Sequence, residues 1–285
     1  MDDLKIKQTL TSLYDAVAPS YERAVVPVYR PIAKRMLQLI DLRPGWQALD
    51  AGTGTGLVAL MGAPRVGKTG KMIGIDGSEQ MLEIARRKAA QYGFTQCEFR
   101  VGDLEALDLP DDQLNAVLSQ FALHHTAPPK SLHEFHRVLM PGGILVVQEW
   151  ADALNHPNKI MFDVLSRYCA ANPSDLLALA RVQSERGHAF RTSAQSLETM
   201  TELVQAAGFS NVEARHETYA AKVASVDAVV DLVTASPTVQ AEMSALSDDA
   251  QAAFLKEARE ALVVFETPAG FSWTYKVLVL VAHKH

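Results

Sequence analysis

The chain has only two cysteines, Cys97 and Cys169, in 285 residues. They lie far apart on apolar segments, so they support no disulfide framework and read as buried thiols of a reducing compartment. No group of cysteines and histidines has metal-ligand spacing, which leaves no metal site to propose. Long hydrophobic runs are missing too: Val277–Ala282 has the length of a buried strand, far short of a membrane span. Cations are not in excess, with 27 Lys and Arg against 33 Asp and Glu and a net charge of −6. The basic residues are scattered, so the electrostatic footprint of a nucleic-acid binder is absent. The opening Met1-Asp2-Asp3 has no basic start and is not read as a signal peptide. There are no repeats, low-complexity tracts or linkers. The expectation is a cytoplasmic protein without stable membrane insertion or a nucleic-acid partner. Its 48% hydrophobic residues suffice for one large core with a helical annex.

The most informative stretch is Ala48–Gly56, Ala-Leu-Asp-Ala-Gly-Thr-Gly-Thr-Gly. A short apolar strand ends at Asp50, three glycines alternate with threonines, and an apolar run starts at Leu57. Glycine permits tight turns and close approach of a ligand. A strand, a glycine turn and a helix start form a nucleotide-type cleft at the edge of a parallel sheet. A dinucleotide fingerprint would need Gly-x-Gly-x-x-Gly, and here the third glycine arrives one residue early, at Gly56. Asp50 would repel a pyrophosphate and suits a ligand bearing an ammonium group. S-adenosylmethionine is such a ligand, with an amino-acid tail, a ribose, an adenine and no phosphate.

Further acids follow at strand ends. Lys71–Asp76 is a second apolar strand, and Asp76 stands twenty residues past Gly56, where the ribose-binding carboxylate of a βαβ unit belongs. Its two oxygens can accept both ribose hydroxyls. Ser78 can cap the next helix, with Met81, Leu82, Ile84 and Ala85 at helical spacing. Phe99–Leu104 reads as a third strand whose Asp103 can accept from an adenine amino group while Leu104 packs on the ring. Asn115–Phe121 is a fourth strand, followed by Ala122-Leu123-His124-His125. A helix over Ser131–Leu139 meets Met140-Pro141-Gly142-Gly143, a stop and turn, before a fifth strand, Ile144–Glu149. Gly62–Thr69 fits the spelling of a phosphate-binding P-loop, Gly-x4-Gly-Lys-Thr. A P-loop needs a strand before it and a helix at its lysine. Here the order is reversed, and the segment is read as a helix-to-strand loop.

In combination, Leu-Asp-Ala-Gly-Thr-Gly-Thr-Gly, Gly-Ile-Asp-Gly-Ser, Gly-Asp-Leu, Leu-His-His and Pro-Gly-Gly resemble the class I S-adenosylmethionine-dependent methyltransferases. Within these, the ubiquinone/menaquinone-biosynthesis type of small-molecule enzyme is the nearest likeness, over Tyr14 to Glu149. The resemblance implies an α/β fold: a Rossmann-like, seven-stranded, mostly parallel sheet with helices on both faces and the last strand antiparallel. It implies cofactor contacts at Asp50, Ala51, Gly52, Thr53, Gly54, Asp76, Gly77, Met81, Gly102, Asp103, Leu104, Ser119, Gln120 and Phe121. It also implies that Tyr21, with Tyr14, closes over the cofactor; the alternative is a helix packing its aromatic face on the core. With only two distant cysteines, the arsenical-methylating branch is disfavoured.

The second half reads as helices inserted into one domain spanning 1–285. The chain leaves the sheet over Asp152–Pro157. Helices follow at Asn158–Ala171 and Ser174–Glu185, Gly187–Thr192 is a return loop, and Ser193 caps a helix to Ala207. A strand over Val212–Tyr219, helices at Val226–Ala235 and Ser247–Val264, and a last strand at Tyr275–Ala282 complete the reading. The N-terminal segment 1–44 and the insertions 151–192 and 222–268 are expected to form a lid and acceptor pocket. The alternatives are plain packing on the sheet or a homodimer interface.

Methyl transfer asks for alignment of the acceptor opposite the sulfur and exclusion of water. If the acceptor is a hydroxyl, a base must take its proton, and His125 or His124 is suited by a near-neutral pKa. Neighbours in an extended segment point opposite ways, so one of the two should face the pocket, with His125 preferred. Glu149 could take a proton or orient an acceptor, and Trp150 could stack on an aromatic one. His133 and His136 should be solvated, and His188 is a further pocket candidate on the return loop. The expected reaction is in-line transfer to a small apolar or aromatic acceptor, with oxygen ahead of carbon and nitrogen. The rival readings are a non-catalytic S-adenosylmethionine-binding protein and an NAD(P)-dependent oxidoreductase.

Overall fold

A computed structural model describes residues 3–151, 156–169 and 173–285. The chain divides into two compact units: one is Met1–Tyr29, Ala153–Arg186 and Thr218–Tyr275, the other Arg30–Asp152, Gly187–Glu217 and Lys276–His285. The first takes in most of the two helical insertions expected from the sequence, together with the start of the N-terminal segment.

The strands are β1 (Gln47–Ala51), β2 (Lys71–Asp76), β3 (Cys97–Val101), β4 (Leu114–Gln120), β5 (Leu139–Trp150), β6 (Ser210–Val223), β7 (Glu266–Thr267) and β8 (Gly270–His283). Their order across the sheet is β3-β2-β1-β4-β5-β8-β6, with the two-residue β7 beside β8. Neighbours from β3 to β5 run parallel, and β8 lies antiparallel to β5. The chain thus builds outward from β1 through β2 to β3, then returns to place β4 on the other side of β1. That reversal opens a crevice at the carboxyl ends of β1 and β4, the usual ligand position of an open parallel sheet.

Local sequence explains these elements. Residues 48–51 of β1 are all buried, as a strand covered on both faces requires. Along β2, Ile73 and Ile75 join the core cluster of Leu132, Phe135, Val138 and Val204. Met72 points the other way, toward Gly62 of helix Leu57–Val66, where an added Cβ would stand 3.0 Å from the methionine Cε. Helix Glu79–Tyr92 starts where Ser78 Oγ accepts from Met81 N–H at 3.2 Å, and it stops at Gly93 with φ 68°. In the helical unit, Ser225 and Ser247 cap helices Val226–Thr234 and Asp248–Leu262 in the same way. Arg181 grips the buried Glu242 through two bonds of 2.6 and 2.8 Å.

Several expectations are corrected. The stop at Met140–Gly143 lies inside β5, whose register against β4 slips between Leu114 and Ala116. Gly142, with φ 80°, donates its N–H to Lys284 O, so the irregular stretch stays in the ladder. The return loop at Gly187–Thr192 is the last part of helix Asp175–Ser193. Gly187 is small there for packing: an added Cβ would come within 3.2 Å of His124 O. Ser196, not Ser193, caps the following helix Leu197–Ala206. Helix Pro237–Ser244 and strand β7 were not foreseen. The third strand ends at Val101, which leaves Asp103 in the turn beyond it. Of the exit over 152–157 and the helix over 158–171, residues 152–155 and 170–171 lie outside the described residues; what is described is a helix at Pro157–Leu165. The P-loop look-alike is the end of helix Leu57–Val66 and a turn into β2. Gly70, the residue after it, is needed because a Cβ there would stand 2.5 Å from Val66 O.

Candidate functional site

Asp50 and Asp76 stand at the ends of β1 and β2, and Asp103 in the turn past β3. Asp50 is buried, and its Oδ2 accepts from Thr53 Oγ1 at 2.7 Å and from Ala59 N–H at 2.9 Å. It braces the glycine turn against the first turn of the next helix. Burial pushes its pKa up to about 6, against the pull of those two hydrogen bonds.

Asp76 is half-exposed. Its Oδ2 accepts from Gly54 N–H at 2.8 Å and its Oδ1 from Ser78 N–H at 2.9 Å. One carboxylate therefore fixes both the glycine turn and the start of helix Glu79–Tyr92. Each ionised oxygen has two acceptor positions, so capacity remains for a pair of hydroxyls. Asp103 is exposed, with Oδ1 accepting from Glu105 N–H at 2.9 Å.

The glycine turn is shaped by its surroundings. Gly52, Gly54 and Gly56 have φ of 75°, 52° and 84°, all left-handed. Gly52 and Thr53 donate their N–H groups to Ile75 O at 2.8 and 3.0 Å. A Cβ on Gly52 would stand 2.3 Å from Ala122 Cβ, whereas a Cβ on Gly54 would meet nothing within 4 Å. Gly54 thus looks onto open space beside Asp76, a cradle of backbone that suits the ribose and amino-acid tail of S-adenosylmethionine. Ala51, Thr53 and Met81 are buried supports of this turn, Gly77 is exposed and Gly102 half-buried. Leu104 lies in the core below it. Ser119, also buried, has an Oγ without a hydrogen-bond partner. Gln120 Nε2 donates to Gln148 Oε1 at 2.8 Å. Tyr14 and Tyr21 belong to the helical unit, where their half-buried rings meet edge to face at 6.4 Å.

A second cluster follows β4. Leu123–His125 is a single 3-10 turn, not an extended segment. The two histidines therefore share a side, with ring centroids 3.9 Å apart, instead of pointing opposite ways. Glu149 is fully buried beneath them: Oε1 accepts from Leu123 N–H at 2.8 Å, and Oε2 lies 2.8 Å from His124 Nδ1. Burial pushes the Glu149 pKa up to about 7 and the His124 pKa down to about 3. His125 is also held well below its usual value, by burial and then by His124, while the Glu149 charge pulls it up. Arg191, of helix Asp175–Ser193, acts electrostatically on all three groups. Sequence reasoning missed Arg191, Ala122 and Gln148, because only the fold brings them here. His188 is exposed on that helix, and His136, half-buried, packs edge-on against Phe209 at 5.1 Å. Two surface cavities, of about 430 Å³ beside Cys97 and about 330 Å³ beside Lys68, are lined by none of the three acids or the two histidines.

A methyltransferase-domain family model matches residues 48–143, which span the glycine turn, the three acids and both histidines. Nocamycin O-methyltransferase from Saccharothrix syringae is 28% identical over 228 residues, 76% of this chain and 78% of that one. The ubiquinone/menaquinone biosynthesis C-methyltransferase of Hydrogenovibrio crunogenus is 33% identical over 153 residues, 52% of this chain and 60% of its own length. The chain is a class I S-adenosylmethionine-dependent methyltransferase. The solved YcgJ protein of Bacillus subtilis shares the fold at 19% identity, with a TM-score of 0.56 over 89% of this chain and 97% of that one. Among the described residues of this methyltransferase, no helix is long and apolar enough to cross a membrane.

The Asp50 brace has a consequence for stability. Its folded pKa of about 6 exceeds the ordinary 3.8, so the folded state favours the protonated acid. That contribution is complete below about pH 4 and is lost as pH rises through 6, on the order of 2–3 kcal/mol. The melting temperature of the wild-type chain minus that of Asp50→Asn should therefore fall between pH 4 and pH 6 and level off above 7. A flat difference would show that Asp50 titrates normally.

Proposed function

We propose that this methyltransferase acts on the oxygen of a small apolar or aromatic acceptor, such as a phenol or quinol, by in-line displacement. The observation that carries this reading is the buried Glu149 carboxylate under the paired His124 and His125, at the ends of β4 and β5. When bound, S-adenosylmethionine supplies a methyl group already activated by its sulfonium. Asp76 and the Gly52–Gly54 turn hold the cofactor, and Asp50 keeps that turn in shape. Orientation of this kind is worth about 7–11 kcal/mol in a two-reactant step.

His125, half-exposed where His124 is buried, takes the acceptor's proton. Its lowered pKa keeps it unprotonated at neutral pH but weakens it as a base, and the Glu149 charge works against that loss. As the proton arrives, the ionised Glu149 stabilises the imidazolium, and His124 fixes the turn between them. The helical insertions and the N-terminal segment, with Tyr14 and Tyr21, are assigned the lid and acceptor-pocket role. The similarity to an O-methyltransferase over three quarters of the chain supports oxygen as the acceptor atom.

Calorimetric titration with S-adenosylhomocysteine, the product form of the cofactor, tests the first half of this reading. Micromolar binding is expected. Asp76→Ala removes a charged acceptor of several hydrogen bonds and should weaken binding about 100-fold; equal affinity in that variant would remove Asp76 from the site. A panel of phenols and quinols, with products resolved by mass and carbon shift, tests the second half. A methyl group appearing on ring carbon would replace the oxygen assignment.

A further inference from the structure

Gly67-Lys68-Thr69 is no P-loop, because no helix opens at its lysine. Its Lys68 and Thr69 nevertheless wall the cavity of about 330 Å³, at the low end of the range for small-ligand sites. Gln47, Lys71, Thr95 and Gln96 form the rest of the wall with two glycines. Two ammonium groups and no carboxylate line it, in a chain of net charge −6.

Several wall groups already have partners. Lys71 Nζ holds Glu98 at 2.5 Å, Gln96 Nε2 donates to Ala63 O at 2.9 Å, and Gln47 Oε1 accepts from Gln113 Nε2 at 3.3 Å. Lys68 differs. Among the described residues its ammonium has no ion pair, and neither its N–H nor that of Thr69 is spent on the backbone. The Thr69 and Thr95 hydroxyls have no protein partner among those residues either. One ammonium, two hydroxyls and two successive N–H groups are left for a ligand. Successive N–H groups of a turn form an anion-binding concavity. Ammonium and hydroxyl donors suit the oxygens of a phosphate.

The turn is held from both sides. Gly45 N–H donates to Val66 O at 2.9 Å, Gly70 N–H to Gly67 O at 3.2 Å, and Lys71 N–H to Trp46 O at 2.9 Å. A wall set in this way lowers the ordering cost of binding. The cavity lies at the amino ends of the parallel strands: Gln47 opens β1, Lys71 opens β2, and Gln96 precedes β3. Asp76 closes β2 at its other end, roughly 16 Å from Lys71 at about 3.3 Å per residue. A ligand here stays clear of the glycine turn.

We propose that the cavity beside Lys68 is a second ligand site, which binds a phosphate group as the free ion or as a phosphomonoester. Lys68 supplies the charge, and the Thr69 and Thr95 hydroxyls orient the oxygens. The site is separate from methyl transfer and depends on neither the acceptor nor the base.

The test is calorimetric titration of the full chain, with and without S-adenosylhomocysteine. Inorganic phosphate and glycerol 3-phosphate are the probes, against sodium chloride of equal ionic strength. Phosphate should bind with millimolar affinity. Lys68→Gln should weaken it about tenfold or more, the scale of a lost charge-assisted bond, and Lys68→Arg should keep most of it. Lys256→Gln removes an exposed lysine of the helical unit and should change nothing. Lys68 is exposed too, so all three variants should melt like the wild type in chloride. Tighter binding of glycerol 3-phosphate would identify a phosphomonoester and equal binding the free ion; both keep the site. Heat no greater than that of chloride would overturn it, as would equal weakening by Lys68→Gln and Lys256→Gln. Phosphate displaced by S-adenosylhomocysteine would place the anion at the glycine turn, and the proposal would be wrong. The phosphate arm without S-adenosylhomocysteine reads this site alone, so its failure is separate from any failure of cofactor binding.

Discussion

Gly52→Ala is expected to eliminate measurable S-adenosylhomocysteine binding and to lower the melting temperature by several degrees. One methyl group does this because two constraints meet at the residue. With φ at 75°, its backbone is in a region where any side chain is strained. The new Cβ would also stand 2.3 Å from Ala122 Cβ, far inside contact distance, and Ala122 sits on the short link between β4 and the 3-10 turn. Neither side has a flexible tip to swing away, so the turn itself must move. Its N–H bonds to Ile75 O and Gly54's bond to Asp76 then fail together. Strain and overpacking of this kind cost about 1–3 kcal/mol each, which even at the lower end of that range is roughly 4–8 °C in all. Calorimetry and a thermal melt check both effects. Gly54→Ala is the control: its φ is 52°, but a Cβ there meets nothing within 4 Å, so the melt should shift less while binding still suffers. Equal melting shifts for the two variants would mean that the Ala122 overlap is relieved without cost.

His125→Asn should lower kcat by about 10²-fold or more, the usual scale for losing a general base. Asparagine keeps a polar side chain in the 3-10 turn but cannot accept the proton. The pH profile carries the sharper signature. Glu149 titrates near 7, and its ionised form raises the basicity of His125. Activity of the wild type should therefore climb as pH rises through about 7, and Glu149→Gln should lower the plateau and erase that limb. An unchanged limb in Glu149→Gln would assign it to another group, and an unchanged kcat in His125→Asn would remove the base from the mechanism.

The parallel half of the fold was legible because its signals are local. A strand buried on both faces, a glycine turn and a capped helix each need only a few neighbouring residues, as Leu49–Gly56 and Ser78–Gly93 show. The acids at 50 and 76 could be placed at strand ends from the same punctuation, whereas Asp103 falls in the turn past β3. What sequence could not give was the meaning of glycines used for packing. Gly187 looked like a loop because the close passage of His124 O is a tertiary fact. Pro141-Gly142-Gly143 looked like a stop because the ladder bond to Lys284 comes from the far end of the chain. The side shared by the two histidines was missed for a related reason: a 3-10 turn replaced the extended segment that the alternation rule assumes.

The turn, its acids and the histidine cluster all fall within Gln47–Trp150, one uninterrupted stretch. The helical unit is assembled from three separate segments, none inside that stretch. Substitutions in the helices can therefore accumulate without rewriting the residues of the turn. A directed-evolution library confined to residues 1–29, 153–186 and 218–275 leaves every residue of Gln47–Trp150 unaltered.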